Sequence, residues 1–225
     1  ANGTDFGGNN RGAGGSGGGI CLEVGTLKGG GSIAAKGGSS GNWQYDGAGG
    51  GGRVAIHYGE VVGFDLTNQV WVTGGVNGSV GGAGTIYLKQ AGQIGCLMLD
   101  RRGGGSRETP LWLPDGASNY GEELIVSGTG TVVDAWMEYL TPTNLRVVDG
   151  AILQCRQGST SQVYRLELAV GGTLTIGTKS SVSISGRGYP AGRTVGNTTN
   201  GAATGVSGGS YGGLGGDYSG LANFV

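Results

Sequence analysis

Acid–base and nucleophilic catalysis need paired side chains, and this sequence offers few to pair. Its single histidine, His57, lies in Arg53-Val54-Ala55-Ile56-His57-Tyr58. Alternation there puts Val54, Ile56 and Tyr58 on one face of a strand and Arg53, Ala55 and His57 on the other, so His57 reads as a surface residue. Glu122 and Glu123 adjoin, but neighbours on a strand point to opposite faces and cannot share one task. A carboxylate pair drawn from distant strands, as in polysaccharide-cleaving enzymes of β-helix fold, is the enzymatic alternative, and no spacing selects one. The expectation is a protein without catalytic residues.

Metal and phosphate chemistry fare no better. Cys21, Cys96 and Cys155 are far apart and form no C-x-x-C, which argues against zinc. Three cysteines allow at most one internal disulfide, with the pairing left open. No Gly-Lys-Ser/Thr follows any glycine run, so the runs are not phosphate loops. Gly212-Gly213-Leu214-Gly215-Gly216-Asp217 matches the start of a calcium-binding nonapeptide, but Ser219 stands where a large apolar residue belongs and no tandem copy follows. No cofactor is expected, calcium being the one metal the pattern admits.

Binding chemistry has more material. Trp43, Tyr45, Trp112, Tyr120, Tyr189 and Tyr211 fall between the strands, where a ring can stack on a sugar, meet a neighbouring subunit, or pin a glycine segment to the core. Asn2, Asn77 and Asn197 each open an Asn-x-Ser/Thr acceptor for N-glycosylation. Lysine and arginine number 14 against 15 acidic residues, for a net charge of −1. No basic stripe stands out, so nucleic acid is not an expected partner. No apolar run approaches the ~20 residues that span a bilayer, so membrane insertion is not expected.

What must position these residues is an unusual chain, in which glycine supplies 56 of 225 residues. Collagen would need glycine at every third position and abundant proline; the glycines come in runs and proline numbers four. Disordered linkers lack the alternating Val, Ile, Leu and Tyr that separate the glycine blocks here. Ile20, Leu22 and Val24 alternate with Cys21 and Glu23, and strands of this kind are expected over 53–58, 69–73, 84–89 and 96–100. Further strands are expected over 123–127, 131–139, 145–148, 151–155, 164–170, 173–176 and 181–185. No segment keeps a helical period. The stretch 32–58 reads as strand, glycine arm, strand, and Gly172-Thr173-Leu174 leading to Ser181-Val182 loosely repeats Gly25-Thr26-Leu27 leading to Ser32-Ile33.

A repeated strand unit that cannot bury its apolar face alone points to stacking. The fold expected is all-β, a parallel β-helix or related solenoid, preferred over a sandwich because the glycine arms are too long for tight hairpins. Glycine runs can take the extended three-per-turn helix and pack side by side, so the arms 7–19, 37–52 and 186–216 are expected to form a polyglycine II bundle. Residues 1–95 read as glycine arms with short strands, 96–185 as the strand-rich part, and 186–225 as a final arm and junction, all within one continuous unit.

Gly14-Gly15-Ser16-Gly17-Gly18-Gly19-Ile20, Gly31-Ser32-Ile33-Ala34-Ala35-Lys36-Gly37-Gly38, Gly84-Thr85-Ile86-Tyr87-Leu88 and Gly208-Gly209-Ser210-Tyr211-Gly212-Gly213-Leu214-Gly215-Gly216 resemble the glycine-rich repeats of very large secreted or cell-surface proteins. More loosely, the arms are similar to the glycine-helix bundles of phage tail-tip adhesins and glycine-rich receptor ectodomains. The resemblance implies an extracellular or cell-surface structural protein whose partners are copies of itself or adjoining repeats. It also implies that the chain is a window on a longer array, or a unit whose ends meet its neighbours', with Phe6, Ile20, Leu221, Phe224 and Val225 at the junction. The alternative is a surface adhesin that holds a glycan or receptor through Trp43, Tyr45, Trp112, Tyr189 and Tyr211.

Overall fold

The computed structural model describes residues 2–5, 12–41, 45–112, 122–136, 139–199 and 207–216. Within them every regular element is a strand: β1 (Gly19–Lys28), β2 (Ile33–Ala34), β3 (Arg53–Val62), β4 (Val70–Trp71), β5 (Thr85–Gln90), β6 (Cys96–Asp100), β7 (Thr109–Leu111) and β8 (Glu123–Ser127). They are followed by β9 (Val132–Ala135), β10 (Tyr139–Leu140), β11 (Asn144–Val147), β12 (Ile152–Cys155), β13 (Glu167–Leu168), β14 (Leu174–Ile176) and β15 (Ser181–Val182). The protein is all-β.

The long sheet has the order β1-β3-β5-β6-β8-β11-β14, and a second sheet the order β15-β12-β9-β7; β10 pairs with β13 and β2 with β4. Every pairing between these strands is parallel except β5 with β6, where Ile86, Tyr87 and Leu88 face Met98, Leu97 and Cys96 in antiparallel register. That one reversal divides the long sheet into β1-β3-β5, running one way, and β6-β8-β11-β14, running the other.

Registered apolar residues build the core. Leu97, Leu124 and Leu145 lie in line across β6, β8 and β11, as do Leu99, Val126 and Val147, and all are buried. Leu111, Val133, Ala135 and Leu153 come from the second sheet to close one core cluster, with Leu140 from β10. A second cluster joins Val54, Ile56 and Ile86 to Ala35, Val70 and Val72.

Between the strands of the first half, glycine segments are hydrogen-bonded to one another at steps of three residues. The N–H groups of Gly14 and Gly17 donate to the carbonyls of Gly47 and Gly50, and those of Ala48 and Gly51 to Ser79 and Gly82. Where segments run opposite ways the step is the same: Gly49 and Gly52 donate to Gly38 and Ala35, Gly38 and Gly41 to Gly15 and Gly12, and Gly81 and Gly84 to Gly75 and Val72. The glycines are there for space. A Cβ on Gly14, Gly38, Gly49, Gly52, Gly81 or Gly84 would lie 1.8–2.1 Å from a backbone oxygen of a neighbouring segment, and none of these residues has a positive φ. Asn77 (φ 73°) and Gly78 (φ 52°) make the turn that folds residues 72–76 back along 79–84; both central residues at positive φ is the mark of a type I′ turn.

Several elements depart from the sequence-based expectation. The stretch 74–82, whose Gly and Asn are turn residues by type, is part of the glycine packing, whereas the described residues of 186–216 mix bonds between segments with tight turns. There the N–H groups of Gly192, Ser210 and Gly208 donate to the carbonyls of Ser207, Arg193 and Gly216, and a Cβ on Gly209 or Gly215 would lie 2.3 Å from a backbone oxygen. Beside these run local bonds, Arg187 to Ile184, Arg193 to Pro190 and Asn197 to Thr194, and Gly186, Gly192 and Gly196 sit at positive φ, as turn glycines do. Thr109–Leu111 is a strand despite Pro110. β7 is the edge of its sheet, where a missing N–H costs no ladder bond. Of the strand expected over 164–170, Glu167–Leu168 pair with Tyr139–Leu140 among the described residues, and the ladder ends on its C-terminal side where the partner chain reaches Pro142, which has no N–H to give.

Candidate functional site

Three surfaces could carry function: the glycine packing, the two edges of the long sheet, and an outward row of large side chains on the second sheet.

The glycine packing centres on Gly38 and Gly49. Gly38 donates to the Gly15 carbonyl at 2.7 Å and accepts from Gly49 at 2.9 Å; Gly49 accepts in turn from Gly75 at 2.9 Å. Trp71 anchors one flank of it, with the Lys36 ammonium 4.7 Å and the Arg102 guanidinium 5.7 Å from the ring centre. Arg102 also donates to the Val70 carbonyl and lies 3.7 Å from the Asp100 carboxylate. Sequence reading expects Trp43 and Tyr45 in this anchoring task. Trp43 lies outside the described residues, and Tyr45 is 75% exposed. Trp71 was missed because its strand reading hid its use by Lys36, 35 positions earlier in sequence.

At the edges, β14 carries Leu174 and Ile176 in register with the fully buried Leu145 and Val147, yet they are 45% and 49% exposed. At the other edge, Ile20 and Leu22 of β1 lie beside Val54 and Ile56 of β3, half-buried against the second core cluster. Ile20 was among the junction residues expected from sequence; Phe6, Leu221, Phe224 and Val225 lie outside the described residues, as do Tyr120, Asp217 and Ser219.

On the second sheet, Trp112 and Trp136 directly follow Leu111 and Ala135, which are register partners. The Trp136 N–H donates to the Leu111 carbonyl and the Arg156 N–H to that of Ala135, so Trp112, Trp136 and Arg156 occupy the same outward place on three adjacent strands. The two tryptophans are 57% and 46% exposed. The Arg156 guanidinium sits 4.7 Å from the Trp136 ring centre and 5.2 Å from that of Tyr164. Tyr164 lines a cavity of about 320 Å³ together with Arg187, Tyr189 and Tyr211. Tyr189 and Tyr211 pair there at 5.0 Å between ring centres. Of the expected aromatics, then, Trp112, Tyr189 and Tyr211 fall along one side, whereas Trp136 and Tyr164 were missed. The signal for Trp136 was its place directly after a strand, as Trp112 has; loops of unequal length hide that equivalence.

The remaining candidates hold structural posts. His57 points outward as expected, its ring 5.6 Å from that of Tyr87. The Tyr87 hydroxyl donates to Glu122 at 2.5 Å, with the Lys89 ammonium 3.8 Å away. Asn2 accepts the Lys36 N–H at 3.0 Å and Asn77 is exposed at its turn. Asn197 donates through Nδ2 to the Ser159 carbonyl, and its Oδ1 is buried, so of the three acceptors it is the one least open to glycosylation in the folded chain. Among the described residues no cluster of three or more His, Cys, Asp or Glu side chains could hold a metal ion, and no helix is long and apolar enough to cross a membrane.

All three cysteines are free thiols: Cys21 exposed on β1, Cys96 partly buried and Cys155 buried. Burial, reinforced by Glu123, pushes the Cys96 thiol up to about 11, and burial also raises Cys155. Thiolate is the reacting form, so at pH 8 a disulfide reagent labels Cys21 fast and the other two only in denaturant. Two thiols reacting at equal speed in the native protein would contradict this placement. Comparison with known proteins finds no matching family profile, no matching curated protein and no matching solved structure.

Proposed function

We propose that the chain is a non-enzymatic structural unit of an extracellular or surface filament, lengthening by adding copies of itself at the two edges of its long sheet. In this reading the parallel stacks wind as a solenoid, and the glycine segments form a polyglycine II bundle that braces it. A three-per-turn extended helix makes no internal hydrogen bonds, so its bonds must go to neighbours, which accounts for the three-residue step. The absence of side chains lets the segments close to backbone contact.

The observation that carries the proposal is the exposure of Leu174 and Ile176 at positions whose register partners are core. An unprotected edge presents unpaired N–H and C=O groups and invites pairing. The strand reversal at β5/β6 supplies the geometry. β1 and β14 run in opposite senses, so a copy stacked by translation places its β1 antiparallel to β14, the pairing the chain already makes once internally. An interface that does not close on itself gives open filaments.

Negative-stain electron microscopy of purified protein across a hundredfold concentration range tests this. Rods that lengthen with concentration are expected; single particles throughout would overturn the proposal.

A further inference from the structure

We infer that the outer face of the second sheet is a binding track for a linear, neutral polysaccharide chain, a function separate from assembly. Trp112, Trp136 and Arg156 form a row running across the strands, each step being one strand spacing of about 4.8 Å. Two residues back along the same strands, and therefore on the same face, Pro110, Asp134 and Gln154 form a second row in matching register. Gln154 donates to Asp134 at 2.6 Å, and the Arg187 guanidinium lies 3.6 Å from the same carboxylate while donating to the Cys155 carbonyl at 3.1 Å. The aromatic row thus lies beside two polar side chains, Asp134 and Gln154, that are already held in place.

That pairing fits a pyranose chain, which offers flat C–H faces to rings and hydroxyls to amide, carboxylate and guanidinium groups. Extension is built in, because past Arg156 the row continues to Tyr164 and into the cavity of about 320 Å³ that holds the Tyr189–Tyr211 pair. Arg187 is balanced by Asp134 and Arg165 by Glu167 at 2.8 Å, which leaves Arg156, seated over the Trp136 and Tyr164 rings, as a single net positive charge among these residues rather than the run of cations an acidic chain would select. A large exposed apolar row on a β surface otherwise invites aggregation, and a saccharide chain covers it without closing the sheet's edges.

Isothermal titration calorimetry of the whole protein with cellohexaose, xylohexaose, mannohexaose and hexagalacturonate tests this. Saturable binding of at least one neutral hexasaccharide is expected. Trp112→Ala and Trp136→Ala should each weaken it about tenfold, the loss of one aromatic contact, and Tyr45→Ala, away from the row, should leave it unchanged. Because both tryptophans are exposed, circular dichroism of the variants should match the parent. No binding by any neutral oligosaccharide, preference for hexagalacturonate, or undiminished binding by Trp136→Ala would each overturn the inference.

Discussion

Replacing Gly49 with alanine should cost about 3 kcal/mol or more of unfolding free energy, while the same change at Gly50 should cost nothing. The two residues are adjacent and share a composition, so only their packing separates them. A Cβ on Gly49 would lie 1.9 Å from the Gly15 oxygen and 2.4 Å from its carbonyl carbon. Gly15 cannot withdraw without breaking the bond that Gly38 makes to it. Gly49 cannot withdraw either, because its own oxygen is where the Cβ positions of Gly37 and Gly81 already point, 2.1 and 2.0 Å away. Overpacking a filled core costs 1–3 kcal/mol and more when backbone must move. A Cβ on Gly50 meets only the Gly82 oxygen, at 4.0 Å, and the stiffer unfolded chain gives back ~0.4–1 kcal/mol. Urea melts followed by tryptophan fluorescence give both numbers. Equal midpoints for the two variants would mean that the segments are slack.

Leu174→Lys combined with Ile176→Lys should abolish self-association and leave the fold intact. Both side chains are about half exposed on a three-residue edge strand, so the charges stay in water in the isolated unit and stability changes by under about 1 kcal/mol. In the proposed assembly the same positions would become core. Each buried Leu or Ile side chain there contributes ~1.5–3 kcal/mol, and an ammonium in its place would be desolvated without a partner. Sedimentation velocity at high concentration should show larger species for the parent and one small species for the variant. A variant that still associates as the parent does would move the junction away from β14.

The residues that made the fold legible were the alternating ones. Val54 and Ile56 announce an inward face, and the alternation in β1 and β6 does the same. The glycine runs also disclosed close packing. The sequence does not say which glycines pack and which turn. Gly49 and Gly186 are one residue type, yet Gly49 leaves room for a neighbouring backbone, and Gly186 supplies a positive φ. That choice depends on what lies alongside, which is a tertiary fact. Register has the same origin. Trp112 and Trp136 are 24 positions apart in sequence and Trp136 and Arg156 are 20 apart, so no single period aligns them, and the row on the second sheet exists only after the strands have paired.

Amide hydrogen exchange of the glycines is the most direct test of the claim that these segments are packed structure. In a glycine-labelled sample at pH 7, Gly38, Gly49, Gly52 and Gly84 donate to carbonyls of neighbouring segments. They should exchange as slowly as the core amides of β3 and β8, through global unfolding. Exchange of these four at random-coil rates, beside slow exchange in β3 and β8, would contradict the account.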